Sequence, residues 1–593
     1  MEYIDLFPKK VLFIDLSTRK WWTETREDLF ENYLGGTGVA TKLLEENLDP
    51  NCDPLSPDNV IIFATGPLNA LYPVVSKTVA MFKSPHTGNI GESHCGGRTS
   101  AAFRLTGYGA VVIKGKSDIP VYLVISPNKV AFRDARSIWG MRSTYTVGKI
   151  IRRAERGAGI RTIMRIGRAG EKMVTYSSVV AESYRHFGRL GLGAVFGSKN
   201  LKAIVVEGSG SIKIPEAFRR SYNKTYKKIY DLEVNSDLMK KYHDLGTPAN
   251  ILNLNKRGAL PSYNLKSTTY PFAEELSGEK MASDYLGRRL ACSHCPVACI
   301  HLGILRESYE NEPYFYKTTY VSYDYELIYS CGTMLGIKNG HDLLKVIDAI
   351  EVAGLDAMSG GVVLAWITEA FEKGIISEKE TLNATPKWGE ADEYVKIIEN
   401  IVEQPNDFYK LAARGVESLS DYYGGKDFAL AFGKNEMPGY HTGYAAHLGW
   451  TLGARHSHLD NAGYSIDQKL KEIPSPEELV DKIIEEECWR QLLTSLAICL
   501  FARGIYKPEI VAEAFNSLGK NLDEEQLRNF GRKIYAFKYH LKQKLGFSFD
   551  KLRIPERIFE TPSMHGKLEK SYIDKALKYA ADKIQGIIKQ HLK

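Results

Sequence analysis

The chain has 593 residues, 44% of them hydrophobic and 25% charged, with a net charge of +7. That is folded material of several domains, and its mild, scattered basic charge without interleaved aromatics excludes a nucleic-acid-binding stripe. No apolar run nears the roughly 20 residues that span a bilayer, and eight cysteines are too few for a secreted disulfide scaffold.

The opening MEYIDLFPKKVLFIDL has no basic segment leading into an apolar core, so no signal peptide is expected and the cytoplasm is the expected compartment. Up to about residue 208, short β-branched runs bounded by glycine predict strands: NVIIFATGPL, YGAVVIKG, PVYLVIS, RTIMRIG and LKAIVVEG. Two glycine-dense stretches lie among them, HCGGRTSAAFRLTGYG from His94 and YRHFGRLGLGAVFGSKNLKAI from Tyr184. Glycine lets a backbone approach a ligand closely, but neither stretch fits the dinucleotide-binding pattern. GSGSIKIPE, from Gly208 to Glu216, reads as a linker, and beyond it apolar residues recur three and four apart, as in FRRSYNKTYKKIYDLE and HDLLKVIDAIEVAGLD. The fold class expected is α+β, a β-rich N-terminal domain followed by two mostly helical domains. The expected boundaries are 1–210, 211–420 with the cysteine cluster and Glu326, and 421–593 with His458 and Cys499.

Cys292, Cys295 and Cys299 stand in ACSHCPVACIH, and Cys499 lies far off in SLAICLFARG. Three clustered thiolates and one remote thiolate make the ligand set of a [4Fe–4S] cluster. Zinc competes for the same donors, but a structural zinc site usually pairs two Cys-x-x-Cys knuckles and this chain has one.

In this order the motifs LSTRKWW, DPLSPDNVIIFATGPLN, FKSPHTG, GGRTSAAFRLTGYGAVVIKG, RIGRAGE, GRLGLGAVFGSKNLKAI, the cysteine cluster, YELIYSCGTMLGI, EVAGLD and SLAICLF resemble the aldehyde ferredoxin oxidoreductase family. The resemblance implies a tungsten bis-pyranopterin on the β-rich base, a Mg2+ ion between the pterin phosphates, and a [4Fe–4S] cluster on Cys292, Cys295, Cys299 and Cys499. Lys77, His94, Cys95, Gly96, Gly97, Arg185, His186 and Gly188 match first-domain cofactor positions. Two related pterin segments carry Glu351, Leu355 and Asp356, and Thr494 and Ile498; Asp460 matches a further pterin-binding position. Glu351, Thr494, Lys77 and Asp460 depart from the family's usual residues, which marks a divergent member.

Glu326 and His458 match the family's carboxylate and histidine at the metal, though RHSH holds two histidines and His456 competes for that role. A glutamate among Tyr, Leu and Ile has its pKa raised towards that of a general base, and a neutral histidine can polarise a carbonyl. The activity implied is oxidation of a small-molecule aldehyde to a carboxylic acid, with electrons passing through the cluster to ferredoxin or a small ferredoxin-like iron–sulfur subunit. Two other readings stand beside it: a reductive member acting on an aromatic acid or thioester within a larger complex, and a non-catalytic iron–sulfur or zinc scaffold. The aromatic run TTYVSYDYELIY is expected either to line an apolar pocket or to fill a core.

Overall fold

The computed structural model describes residues 3–157, 159–309 and 312–592, the side chains of 312–314 excepted. Strands β1 (Lys10–Asp15), β2 (Lys20–Thr25), β3 (Ile61–Ala64), β4 (Thr78–Lys83), β5 (Ile90–Cys95) and β6 (Ala110–Lys114) form one sheet in the order β2-β1-β6-β3-β4-β5. A second sheet takes β7 (Val121–Ser126), β8 (Lys129–Asp134), β9 (Ile160–Arg165), β10 (Val179–Ala181), β11 (Arg185–Phe187) and β12 (Leu201–Gly208), in the order β11-β10-β9-β12-β7-β8.

The strand period of two decides how these sheets stack. Leu12 and Ile14 of β1, with Leu123 and Ile125 of β7, enter a shared core between the sheets. Val11 and Phe13 face the opposite side, under helix α1 (Gly36–Asn47), and Tyr122 and Val124 face a third core. Phe63 anchors the inter-sheet core, stacked on Phe103 at 5.5 Å and edge-on to Phe187 at 5.4 Å.

The linker segment carries more structure than its composition suggests, because Ser211–Ile212 pair in parallel with Tyr3–Ile4 before Pro215 leads into α2 (Glu216–Val234). The body that follows is mainly helical, broken by a short hairpin of Ala431–Phe432 with Asn435–Glu436 and by a larger ribbon. β13 (Leu286–Leu290), β14 (Ile300–Tyr309) and β15 (Glu312–Tyr323) make a three-stranded ribbon. The cysteine cluster lies between β13 and β14, and β15 runs into Asp324, whose carboxylate caps α3 (Tyr325–Cys331) by accepting from Leu327 N–H at 3.1 Å. The aromatic run is therefore part ribbon and part core: Tyr320 is exposed, while Tyr323, Tyr325 and Tyr329 are buried.

Helix α4 (Gly340–Ala353) ends at Gly354, whose φ of +79° is the left-handed cap a side chain would strain. Asp356 then caps α5 (Ala357–Glu372), accepting from Met358 and Ser359 N–H. The end of α6 (Pro476–Ser495) docks on the first domain at two glycines. A side chain on Gly36 would meet the Thr494 carbonyl oxygen at 2.2 Å, and one on Gly66 the Leu496 carbonyl oxygen at 2.0 Å. Helices α7 (Glu524–Lys544) and α8 (Lys570–His591) complete the C-terminal body. Among the described residues no helix is long and apolar enough to cross a membrane.

Candidate active site and thiolate cluster

The close docking at Gly36 and Gly66 carries Cys499 to the cysteine loop. One backbone segment ties both: Val74 N–H donates to His294 O at 2.8 Å, Cys499 N–H to Val74 O at 3.1 Å, and Lys77 N–H to Ala497 O at 3.0 Å. Cys292, Cys295, Cys299 and Cys499 are all free thiols; Cys295 lies within electrostatic range of the other three, and Cys299 of Cys292 and Cys499. Burial pushes Cys299 up to about 12 and Cys295 higher, with the neighbouring thiolates adding to it. Burial also raises Cys292, but Arg185 and Lys77, then Gly97 N–H at 3.1 Å, outweigh it and leave its pKa below the ordinary thiol value. Half-buried thiols brought this close need a positive metal group to ionise together. Three clustered thiols and one remote thiol brought to the same place are a donor set that could hold a metal group.

Glu326, from the first turn of α3, meets His458, from the short helix His458–Asn461, with Nε2 and Oε1 3.3 Å apart. Gly439 N–H donates to the other carboxylate oxygen at 3.1 Å. Tyr440 roofs the pair, stacked between Tyr464 at 4.0 Å and Tyr325 at 4.9 Å, and 5.8 Å from the His458 ring. The Glu326 side chain keeps 14% of its surface, yet Oε1 is sealed and has no hydrogen-bond partner, and neither has His458 Nδ1. Burial raises Glu326 to about 8, with Asp324 adding and Gly439 N–H and Arg189 opposing. Burial, then Arg189 and Arg455, lowers His458 to about 3, so its imidazole is neutral.

His456 is occupied elsewhere. Its Nδ1 bonds Trp450 O at 2.9 Å and its Nε2 Lys542 Nζ at 3.1 Å.

The first-domain loops face this region from below. The pairing of Thr78 with Cys95 sets Lys77 beside Gly96, where an added side chain would touch Cys292 Sγ, Lys77 Nζ and Arg185 Nε. His186 Nε2 bonds Glu351 Oε2 at 2.6 Å, and Leu355 bridges to Ser177. Gly188 is open, with only His186 Cβ near, at 3.9 Å. Several buried polar atoms on and around these loops have no partner: Arg185 Nε, Glu182 Oε1, Arg189 Nη1, Tyr145 Oη and, from the C-terminal body, Arg490 Nη2. Buried polar groups left unpaired call for a polar ligand, and a pterin with its phosphates would supply one.

Other expected cofactor residues make these contacts within the protein. The strand phase of β5 sends Cys95 into the inter-sheet core, where its thiol donates to Gly96 O. His94 bonds Glu92 at 2.6 Å, and burial lowers it to about 4. Glu92 also takes Lys538 and Arg455, which hold its carboxyl well below the usual range despite burial. Asp460 binds Arg455 and caps the turn at Ser457. The Thr494 hydroxyl turns back to Arg490 O in its own helix, and Ile498 packs in the core.

Sequence reasoning passed over Arg189, in the string GRLGLG. It donates to Asp356 Oδ2 at 3.0 Å and Glu436 O at 2.8 Å, and its charge reaches both Glu326 and His458. The available signal was an arginine set between glycines.

Two family models match the chain: aldehyde ferredoxin oxidoreductase, N-terminal domain, over residues 11–208, and aldehyde ferredoxin oxidoreductase, domains 2 and 3, over residues 224–584. A tungsten-containing aldehyde ferredoxin oxidoreductase of Pyrococcus furiosus is 33% identical, over 92% of this chain and 90% of the relative. An aliphatic sulfonate oxidoreductase WOR-like subunit of the same organism is 29% identical, over 88% and 83%. Among solved structures, the active site complex BamBC of benzoyl coenzyme A reductase with 1,5-dienoyl-CoA superposes with a TM-score of 0.80 at 20% identity, covering 98% of this chain and 95% of that one.

Proposed function

The chain belongs to the aldehyde ferredoxin oxidoreductase family, and we propose that it oxidises a small aldehyde to the carboxylic acid, passing the electrons to ferredoxin or a small ferredoxin-like iron–sulfur subunit. One observation supports the reading most. Glu326 Oε1 and His458 Nε2 lie 3.3 Å apart in one aromatic enclosure, and Glu326 Oε1 and His458 Nδ1 are buried without a hydrogen-bond partner, as a base and a donor awaiting a substrate would be.

Arg185, His186, Glu351, Asp356, Arg189 and the Gly96–Gly97 turn would hold a tungsten bis-pyranopterin and, with its phosphates, a Mg2+ ion. Cys292, Cys295, Cys299 and Cys499 would hold a [4Fe–4S] cluster. The bound pterin metal supplies the acceptor for the two electrons lost from the aldehyde carbon.

The chain's own residues handle protons and orientation. The Glu326 carboxylate takes a proton from the water, or from the aldehyde hydrate, that provides the second oxygen. Neutral His458 donates to the aldehyde oxygen, and Tyr440, Tyr325 and Tyr464 keep bulk water from the pair. Aldehyde and water then yield acid, two protons and two electrons.

Raising Glu326 to about 8 has a kinetic signature, because the base must be ionised. Turnover should climb about tenfold per pH unit below that value and level off above it. His458, at about 3, adds no limb between pH 5 and 9. The same shift affects stability with the opposite sign. The group's contribution is complete below the ordinary glutamate pKa and is lost as pH rises through about 8. A pH profile of viologen reduction tests this, and a limb near the ordinary carboxylate range would refute the base assignment.

A further inference from the structure

We propose that the outward face of the β13–β14–β15 ribbon is the docking surface for an acidic iron–sulfur electron carrier, an inference that rests on the electron-transfer reading above. Large apolar side chains are usually buried, yet Tyr316 is 50% and Tyr320 40% exposed on this ribbon. The register Ile304 to Tyr320, Arg306 to Thr318 and Ser308 to Tyr316 puts these six side chains on one face. Arg306 lies over the Tyr316 ring at 4.6 Å. The other face is the inward one: Leu305 and Val321 are buried in the core, and Glu307 lies 3.9 Å from Lys345.

The face also adjoins the cluster cysteines. β13 runs straight into Cys292, and its Gly287 lies against Ile304 and the Tyr320 ring, which leaves the neighbouring Arg288 at the surface. Tyr184 lies within electrostatic range of both Arg288 and Tyr320. The next residue, Arg185, packs its guanidinium beside Cys292 Sγ over Gly96. Cys292 stands two residues beyond the end of β13, so the cluster cysteines border the ribbon.

Charge selects the occupant. Among the described side chains the outward face carries Arg288 and Arg306 and no carboxylate. Exposed tyrosine with arginine is the composition of an interface centre, and the positive charge would steer an acidic partner. A small acidic protein with its own cluster near the surface fits both the chemistry and the position.

The test uses the full-length enzyme with its cofactors, an acidic ferredoxin carrying two [4Fe–4S] clusters as acceptor, and benzyl viologen as the acceptor that needs no docking. Arg288→Glu with Arg306→Glu, and separately Tyr316→Ser with Tyr320→Ser, should raise the KM for ferredoxin by about tenfold or more. Viologen rates should stay within about twofold, and the ionic-strength dependence of the ferredoxin KM should flatten in the charge-reversal variant. An unchanged ferredoxin KM overturns the proposal, and so does a parallel loss of viologen activity. It is overturned too if the variants only dissociate an oligomer, or if Lys482→Glu with Arg503→Glu, in the cleft beside Trp489, raises the KM in their place. Calorimetric titration of ferredoxin into wild type and the charge-reversal variant reads docking without aldehyde turnover: binding lost in the variant upholds the surface even if the substrate reading fails, and binding kept overturns it.

Discussion

Aldehyde turnover should fall by about 100-fold or more in Glu326→Gln, with tungsten and iron content unchanged. Glutamine keeps the size of the side chain and can still accept from Gly439 N–H, so the α3 turn and the tyrosine enclosure should stand. What disappears is the proton acceptor. The residual rate should also lose the limb at about 8, a readout that a merely structural role would leave in place. His458→Ala should lower turnover and weaken aldehyde binding, because the donor to the carbonyl is gone. His456→Ala is the control: its ring is committed to Trp450 O and Lys542, so it should lower thermal stability and leave the pH profile unaltered. Near-native turnover in Glu326→Gln at full tungsten occupancy would move the base elsewhere.

Cys499→Ser should strip or severely destabilise the cluster and abolish ferredoxin reduction. Serine is a far poorer iron ligand than thiolate, and Cys499 is fixed at its place by the backbone bond to Val74. The effect should extend to the first domain, since the same Val74 segment also holds the His294 turn of the cysteine loop. Cys331→Ser is the comparison. Its buried thiol is pushed up to about 12 and sits near Ser330 Oγ and Ala357 O, well away from the other sulfurs' loop. Electron paramagnetic resonance of the reduced proteins separates them. A normal cluster signal in Cys499→Ser together with its loss in Cys331→Ser would overturn the fourth-ligand assignment.

Much of the fold was legible because strand and helix periods are local. The expected strand PVYLVIS is one, sending Leu123 and Ile125 to the inter-sheet core and Tyr122 and Val124 to another, and the apolar spacing before Gly354 marks the end of a helix. The four cysteines and the pair Glu326 and His458 were legible through their motifs, and the structure brings each set together. What sequence could not give was side-chain direction at loop and strand ends. Cys95 and His94 are adjacent in sequence, yet the pleat sends one into the core and the other to Glu92. Asp460 and Thr494 match pterin-binding positions by resemblance, while in the fold Asp460 forms a salt bridge and the Thr494 hydroxyl bonds within its own helix. Arg189 was missed because Asp356 and Glu436 reach it only through the tertiary fold. The run TTYVSYDYELIY fills a core at Tyr323, Tyr325 and Tyr329, but its sequence did not show that Tyr320 would be left exposed on the outward face of the ribbon.

The most direct test is aldehyde-dependent viologen reduction by anaerobically purified protein whose tungsten and iron have been counted. About two viologens reduced for each carboxylate formed, in protein carrying tungsten and about four iron per chain, is the result expected. Full metal occupancy with no reduction by any of a panel of small, branched and aromatic aldehydes would contradict the account.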